Sequence, residues 1–113
     1  MDEHKTEYSL IVTIVNRGYS DEVMDAAREA GAQGGTILYS RGAGIHETET
    51  FFGISIQPEK ELVLILAKEE IRASIMQDIV RKAGLNSEGR GLSFSLPVSA
   101  VAGICHLNNE NNP

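Results

Sequence analysis

The chain predicts an α+β domain of βαββαβ order, an antiparallel sheet with two helices on one face. Three observations support this. Two segments, residues 8–15 and 61–67, are β-branched and almost continuously apolar, as central strands are. Each is followed by a helical stretch that starts on carboxylates and stops at Ala-Gly, at Ala30-Gly31 and at Ala83-Gly84. A loop with glycines and a further strand close each half, so the second half repeats the order of the first.

Residues 8–15, Tyr-Ser-Leu-Ile-Val-Thr-Ile-Val, make a first strand covered on at least one face. Asn16-Arg17-Gly18-Tyr19 is a loop, and Ser20 is the expected N-cap of the first helix. Asp21 and Glu22 stand in its first turn, where the helix dipole favours carboxylates. Val23, Ala27 and Ala30 form one apolar stripe. Residues 36–39 read as the end of a buried strand that opens through Arg41-Gly42-Ala43-Gly44 into Ile45-His46-Glu47-Thr48-Glu49-Thr50. Glycines there let a ligand approach the main chain closely. A strand that opens through glycine into a charged loop looks like a site carried on a scaffold; a plain glycine turn with a solvated loop is the alternative.

Residues 51–57 alternate as a half-exposed strand, and Pro58-Glu59-Lys60 breaks it before the strand at 61–67. The second helix has Glu69 and Glu70 in its first turn, a stripe of Ile71, Ile75 and Ile79, and Arg81 and Lys82 in its last turn. Gly84 ends it, and residues 85–91 are a loop. Leu92, Phe94 and Leu96 alternate with Ser93 and Ser95 as a half-buried strand. A short terminal element is expected over residues 99–104. The organisation is a flexible start at 1–7, one domain over 8–104 and a polar, disordered tail over 105–113. Two such βαβ units packed together make a ferredoxin-like sandwich. Strands this apolar imply that the second sheet face is hidden by other copies, in a closed homo-oligomer.

The 113 residues suit one domain, and 42% hydrophobic with 23% charged residues is ordinary for a globular protein. A net charge of −6 disfavours non-specific nucleic-acid binding, which needs a basic face. No apolar run is long enough to span a bilayer, and Met1-Asp2-Glu3-His4-Lys5 has no signal-peptide core. The single cysteine, Cys105, has no internal partner, which fits a reducing compartment and a cytoplasmic location. There is no nucleophile elbow, H-E-x-x-H, Walker A sequence or cysteine–histidine arrangement with an orienting group, so a non-enzymatic protein is expected.

The strand from Thr36 into Arg41-Gly42-Ala43-Gly44, the glycine loop Gly89-Arg90-Gly91, and the ending Leu96-Pro97-Val98-Ser99-Ala100-Val101 occur in the order found in the P-II signal transduction proteins. Those proteins have Arg-Gly-Phe-Gly at the first place, Gly-Asp-Gly-Lys at the second and a strand followed by Pro-Val at the third. The chain resembles this family over residues 8–104. The resemblance implies a homotrimer with an adenine nucleotide (AMP, ADP or ATP) in clefts between subunits. It places the adenine by Thr36, Gly42, Ala43 and Gly44, and the phosphates by Gly89, Arg90 and Gly91. It further implies a loop, here Ile45, His46, Glu47, Thr48 and Glu49, that contacts a partner enzyme or membrane transporter.

The chain departs from that pattern at several points. Residues 44–58 are shorter than the family's loop and lack the tyrosine that nitrogen-regulating members modify, since Phe51 and Phe52 cannot be uridylylated. They also lack the glutamine that helps bind magnesium and 2-oxoglutarate, with Ile45 and His46 nearby instead. Leu92 replaces the phosphate-binding lysine, and residues 101–104 lack the family's arginines. These features describe a divergent P-II-like sensor.

From the residues themselves, Gly89-Arg90-Gly91 can hold an anion through backbone N–H groups and the Arg90 fork, or be a plain turn. One basic residue favours a mono- or diphosphate, unless a neighbouring subunit supplies Arg17, Lys60 or Arg41. His46 and Glu49 are weak metal candidates, giving as alternative a trimeric metal-binding protein of the copper-tolerance type. An amino-acid-binding regulatory module of the same design is a further alternative. Cys105-His106 is read as a buried cysteine beside a surface histidine.

Overall fold

A computed structural model describes residues 7–42 and 49–103, with the backbone alone at 49–51 and 54–56. Cys105, His106 and the expected flexible end and tail lie outside these residues, apart from Glu7. The elements run β1 (Tyr8–Asn16), α1 (Ser20–Glu29), β2 (Thr36–Arg41), β3 (Glu49–Phe51), β4 (Ile54–Ile56), β5 (Glu59–Lys68), α2 (Glu69–Ala83) and β6 (Gly91–Pro97). Four strands form one antiparallel sheet in the order β2-β5-β1-β6, and β3 and β4 pair as a separate hairpin. The expected ferredoxin-like βαββαβ sandwich is thus present, with both helices on one face.

Alternation along the strands sorts the side chains. Ile11 and Val15 of β1 and Val63, Ile65 and Ala67 of β5 point to the helices. There they meet Val23, Ala26 and Ala27 of α1 and Ile75, Ile79 and Ala83 of α2. Ile11, Val63, Ile65, Ile75 and Ile79 are fully buried, and each such aliphatic chain contributes about 1.5–3 kcal/mol. Polar side chains on the same face are satisfied locally: Thr13 shares a 2.9 Å hydrogen bond with Ser93, and the Ser9 hydroxyl donates to Glu69 at the start of α2. That bond and Arg72 hold the Glu69 carboxyl below its ordinary range. Lys82 of α2 reaches Glu29 of α1 at 2.8 Å and ties the two helices at the surface.

Several expectations are corrected. Ser20 is the first helical residue and not the N-cap; Tyr19 holds that position with no side-chain cap. The Ser20 backbone N–H instead donates to Glu61 of β5 at 3.0 Å, so a carboxylate from the adjoining strand serves the helix start. β2 is an exposed edge strand and not a buried one, with only Ile37 packed on the core. Residues 51–57 are not one strand: Phe52 (φ 52) and Gly53 (φ 79) turn the chain back on itself. Two successive positive φ values are the geometry of a two-residue hairpin turn. Glu59 and Lys60 do not break a strand but begin β5. Leu92, Phe94 and Leu96 are 52%, 40% and 47% exposed, because their side chains lie on the face away from the helices. Residues 98–103 form neither helix nor strand.

No described helix packs on that second face. It carries Leu10, Val12 and Ile14 of β1, facing Leu66, Leu64 and Leu62 of β5 and Leu96, Phe94 and Leu92 of β6. Leu38 of β2 extends it beside Leu62. No helix among the described residues is long and apolar enough to cross a membrane.

Candidate functional site at one end of the sheet

β1 ends, β5 begins and β2 ends at the same margin of the sheet. The register places Asn16 opposite Lys60, Arg41 opposite Glu59, Ser40 opposite Lys60 and Tyr39 opposite Glu61. The turn after β1 adds Arg17, whose backbone N–H donates to the Glu59 carbonyl at 3.3 Å. Arg17, Tyr39, Ser40, Arg41, Glu59, Lys60 and Glu61 line a cleft of about 680 Å³, with Tyr39 77% exposed on its wall. A volume of this size suits a small organic ligand, for which pockets of about 300–1,000 Å³ are usual.

The lining carries three cations and two carboxylates. Glu59 is shared between Arg17 and Arg41, the latter 3.9 Å away. Lys60 is buried and donates to the Asn16 carboxamide oxygen at 2.6 Å. Glu61 is buried beneath the start of α1. Burial pushes its carboxyl upward, but hydrogen bonds from the Ser20 hydroxyl and the Gly18 and Ser20 backbone, with Arg17 nearby, bring it net below the ordinary glutamate value. Glu61 is therefore an ionised structural group committed to the helix.

The glycine loop reaches this cleft through Asn16, whose amide nitrogen donates to the Gly89 carbonyl at 3.1 Å. Lys60, Asn16 and Gly89 are thus one hydrogen-bonded chain. Gly91 has φ 137, and a Cβ there would sit 2.3 Å from the Ile14 carbonyl, so the strand start admits glycine alone. Arg90 lies elsewhere in the same loop: its guanidinium stacks 4.7 Å from the Tyr19 ring centroid and donates to the Ala83 carbonyl at 3.4 Å. It serves the exposed carbonyl end of α2, where a cation suits the dipole.

Thr36 stands at the opposite end of β2 from Arg41, opposite Leu64. Gly42 follows β2, and its backbone N–H donates to the Pro58 carbonyl at 3.2 Å. Ala43 and Gly44, and Ile45, His46, Glu47 and Thr48 of the expected partner loop, lie outside the described residues. For Glu49 only the backbone is described, as the start of β3. Among the described residues no three histidine, cysteine or acidic side chains gather in a way that would hold a metal.

β2 and β6 are the two edges of the sheet, so Thr36 and Gly42 are separated from the glycine loop by about 14 Å of sheet, three strand spacings. The structure brings Arg17, Lys60 and Arg41 together within one subunit, whereas the sequence suggested them only as gifts of a neighbour. Asn16, Tyr39, Glu59 and Glu61 carry no motif. Only the strand register assembles them, and no signal in the linear sequence points to them.

A family model described as Nitrogen regulatory protein P-II matches residues 8–106. Among solved structures, the chain is similar to the crystal structure of Arabidopsis thaliana PII bound to citrate. The two share 25% identity with a TM-score of 0.69, over 88% of this chain and 84% of that one. No curated protein sequence matches. A match spanning nearly the whole sheet and both helices settles the kinship: the chain belongs to the P-II nitrogen regulatory protein family.

Proposed function

We propose that the protein is a homotrimeric P-II-type signal transduction regulator. It senses an adenine nucleotide between subunits and signals to a partner enzyme or transporter in the cytoplasm. The carrying observation is the cleft at the sheet margin, which Arg17, Arg41 and Lys60 line and to which Asn16, bonded to Lys60, ties the glycine loop. Two exposed arginine forks with a lysine behind them are suited to phosphate recognition.

The two halves of the expected site lie on opposite sheet edges, which supports a site completed across a subunit boundary. Thr36, Gly42, Ala43 and Gly44 of one subunit would hold the adenine side. Gly89, Arg90 and Gly91 of the next would meet the phosphates, mainly through backbone N–H groups while Arg90 stays on Tyr19. The apolar face on which no described helix packs supports the trimer, because a contiguous patch of this kind marks an interaction surface. Residues Ile45, His46, Glu47, Thr48 and Glu49 fall on the chain segment leaving Gly42 and would present the ligand state to the partner. No catalytic step is assigned.

Calorimetric titration of the purified protein with AMP, ADP and ATP, each with and without magnesium, tests this reading. Micromolar binding of one nucleotide at about one per subunit is the expected result. Silence across the whole panel would overturn it.

A further inference from the structure

We propose that Glu59 is an internal anion, which holds the guanidiniums of Arg17 and Arg41 until a phosphate group of the incoming ligand takes its place; this rests on the nucleotide reading above. One carboxylate divides its two oxygens between arginines from different elements, Oε1 toward Arg17 in the turn after β1 and Oε2 toward Arg41 at the end of β2. A phosphate group presents oxygens in the same spread and carries more charge, so it fits the same pair of forks.

The contact is built to exchange. The side chains of Arg17, Glu59 and Arg41 are 70%, 45% and 67% exposed, and ion pairs so exposed change an equilibrium by about fivefold or less. The other carboxylate of the cleft cannot play this part, because Glu61 is buried and committed to the start of α1. Lys60 stays in place on Asn16. When Glu59 swings aside, the two guanidiniums of Arg17 and Arg41 face the incoming anion together, which suits a phosphate group.

The exchange also touches the chain that leaves the sheet here. Arg41 and Glu59 face each other in the register, one residue before Gly42 and one after Pro58. Phosphate capture removes the side-chain tie across this base and leaves the backbone bond from Gly42 to Pro58.

The test is calorimetry of the full chain with ATP, pyrophosphate and citrate, comparing the wild type with Glu59→Gln. Glu59→Gln keeps the side chain's size and removes its charge. Glu70→Gln, at the exposed start of α2, is the control for net charge. The expected result is that Glu59→Gln tightens ATP and pyrophosphate by about fivefold while Glu70→Gln leaves them unchanged. ATP bound equally by the wild type and Glu59→Gln, or tightened equally by both variants, overturns the exchange and leaves the nucleotide reading standing. Tightening for pyrophosphate with no binding of ATP keeps the exchange and overturns the nucleotide reading, and tightening for citrate alone overturns both. Absence of binding by any of the three ligands to either protein overturns both.

Discussion

The two faces of the sheet are made of the same kinds of residue and meet different surroundings. Ile65 and Leu64 are neighbours on β5; Ile65 is sealed under the helices, while Leu64 faces the side on which no described helix packs. On β6 the contrast is stronger, with Ser93 turned to the helices and Phe94 turned away from them. A sheet whose outer face is as aliphatic as its core offers a second apolar surface, which the proposed trimer would bury. The difference teaches that the two described helices account for only one of the two faces.

The sharpest way to break the contrast is to charge the outer face. Phe94→Lys should convert the assembly to a species with the mass of one 12.3 kDa chain, read by sedimentation, with α-helical circular dichroism retained. An unchanged sedimentation coefficient would mean that the outer face is not the interface. Next in size, Ile65→Ala should cost about 2–5 kcal/mol in chemical denaturation, since it leaves a cavity in a sealed core. Leu64→Ala in the Phe94→Lys background should cost less, because one side of that residue is already open; equal losses would erase the distinction between the faces.

Gly91→Ala acts at the start of β6, where both faces begin, and should cost about 1–3 kcal/mol through the approach to Ile14 and the positive φ. A thermal midpoint equal to that of the wild type would contradict this. The smallest effect should come from Glu61→Gln, a loss of about 1 kcal/mol from the start of α1. Its pH dependence has a definite sign. The folded-state carboxyl titrates below the ordinary value of 4.5, so its stabilisation is present above about 4.5 and is lost as pH falls through the folded value. The gap between the wild type and Glu61→Gln should therefore narrow on acidification below 4.5, and a gap independent of pH would remove Glu61 from this role.

Both helices, the two central strands and the closing strand were legible because their signals are local. Carboxylates open each helix and Gly84, at φ 72, closes the second within one turn of the chain. The hairpin of β3 and β4 was not legible, because Phe52 takes a left-handed position at which asparagine or glycine would have announced a turn. The cap on α1 was equally hidden: its carboxylate comes from Glu61, 41 residues away, and outcompetes the serine that local rules favour. Of the candidate site, the glycines after β2 and before β6 could be read in order. The cleft could not, since Arg17, Arg41, Glu59 and Lys60 become neighbours only through the register of three strands.

The hydrogen bond from Gly42 to Pro58 closes the base of everything between those two residues. A segment that leaves and re-enters a sheet at adjacent points can change length with little thermodynamic consequence, because closure entropy grows only with the logarithm of its length. Insertions, deletions or a grafted peptide in this stretch should leave sheet register and cleft geometry untouched. Under the proposed function, the segment that would meet a partner can thus diversify by lineage while the cleft stays under separate selection.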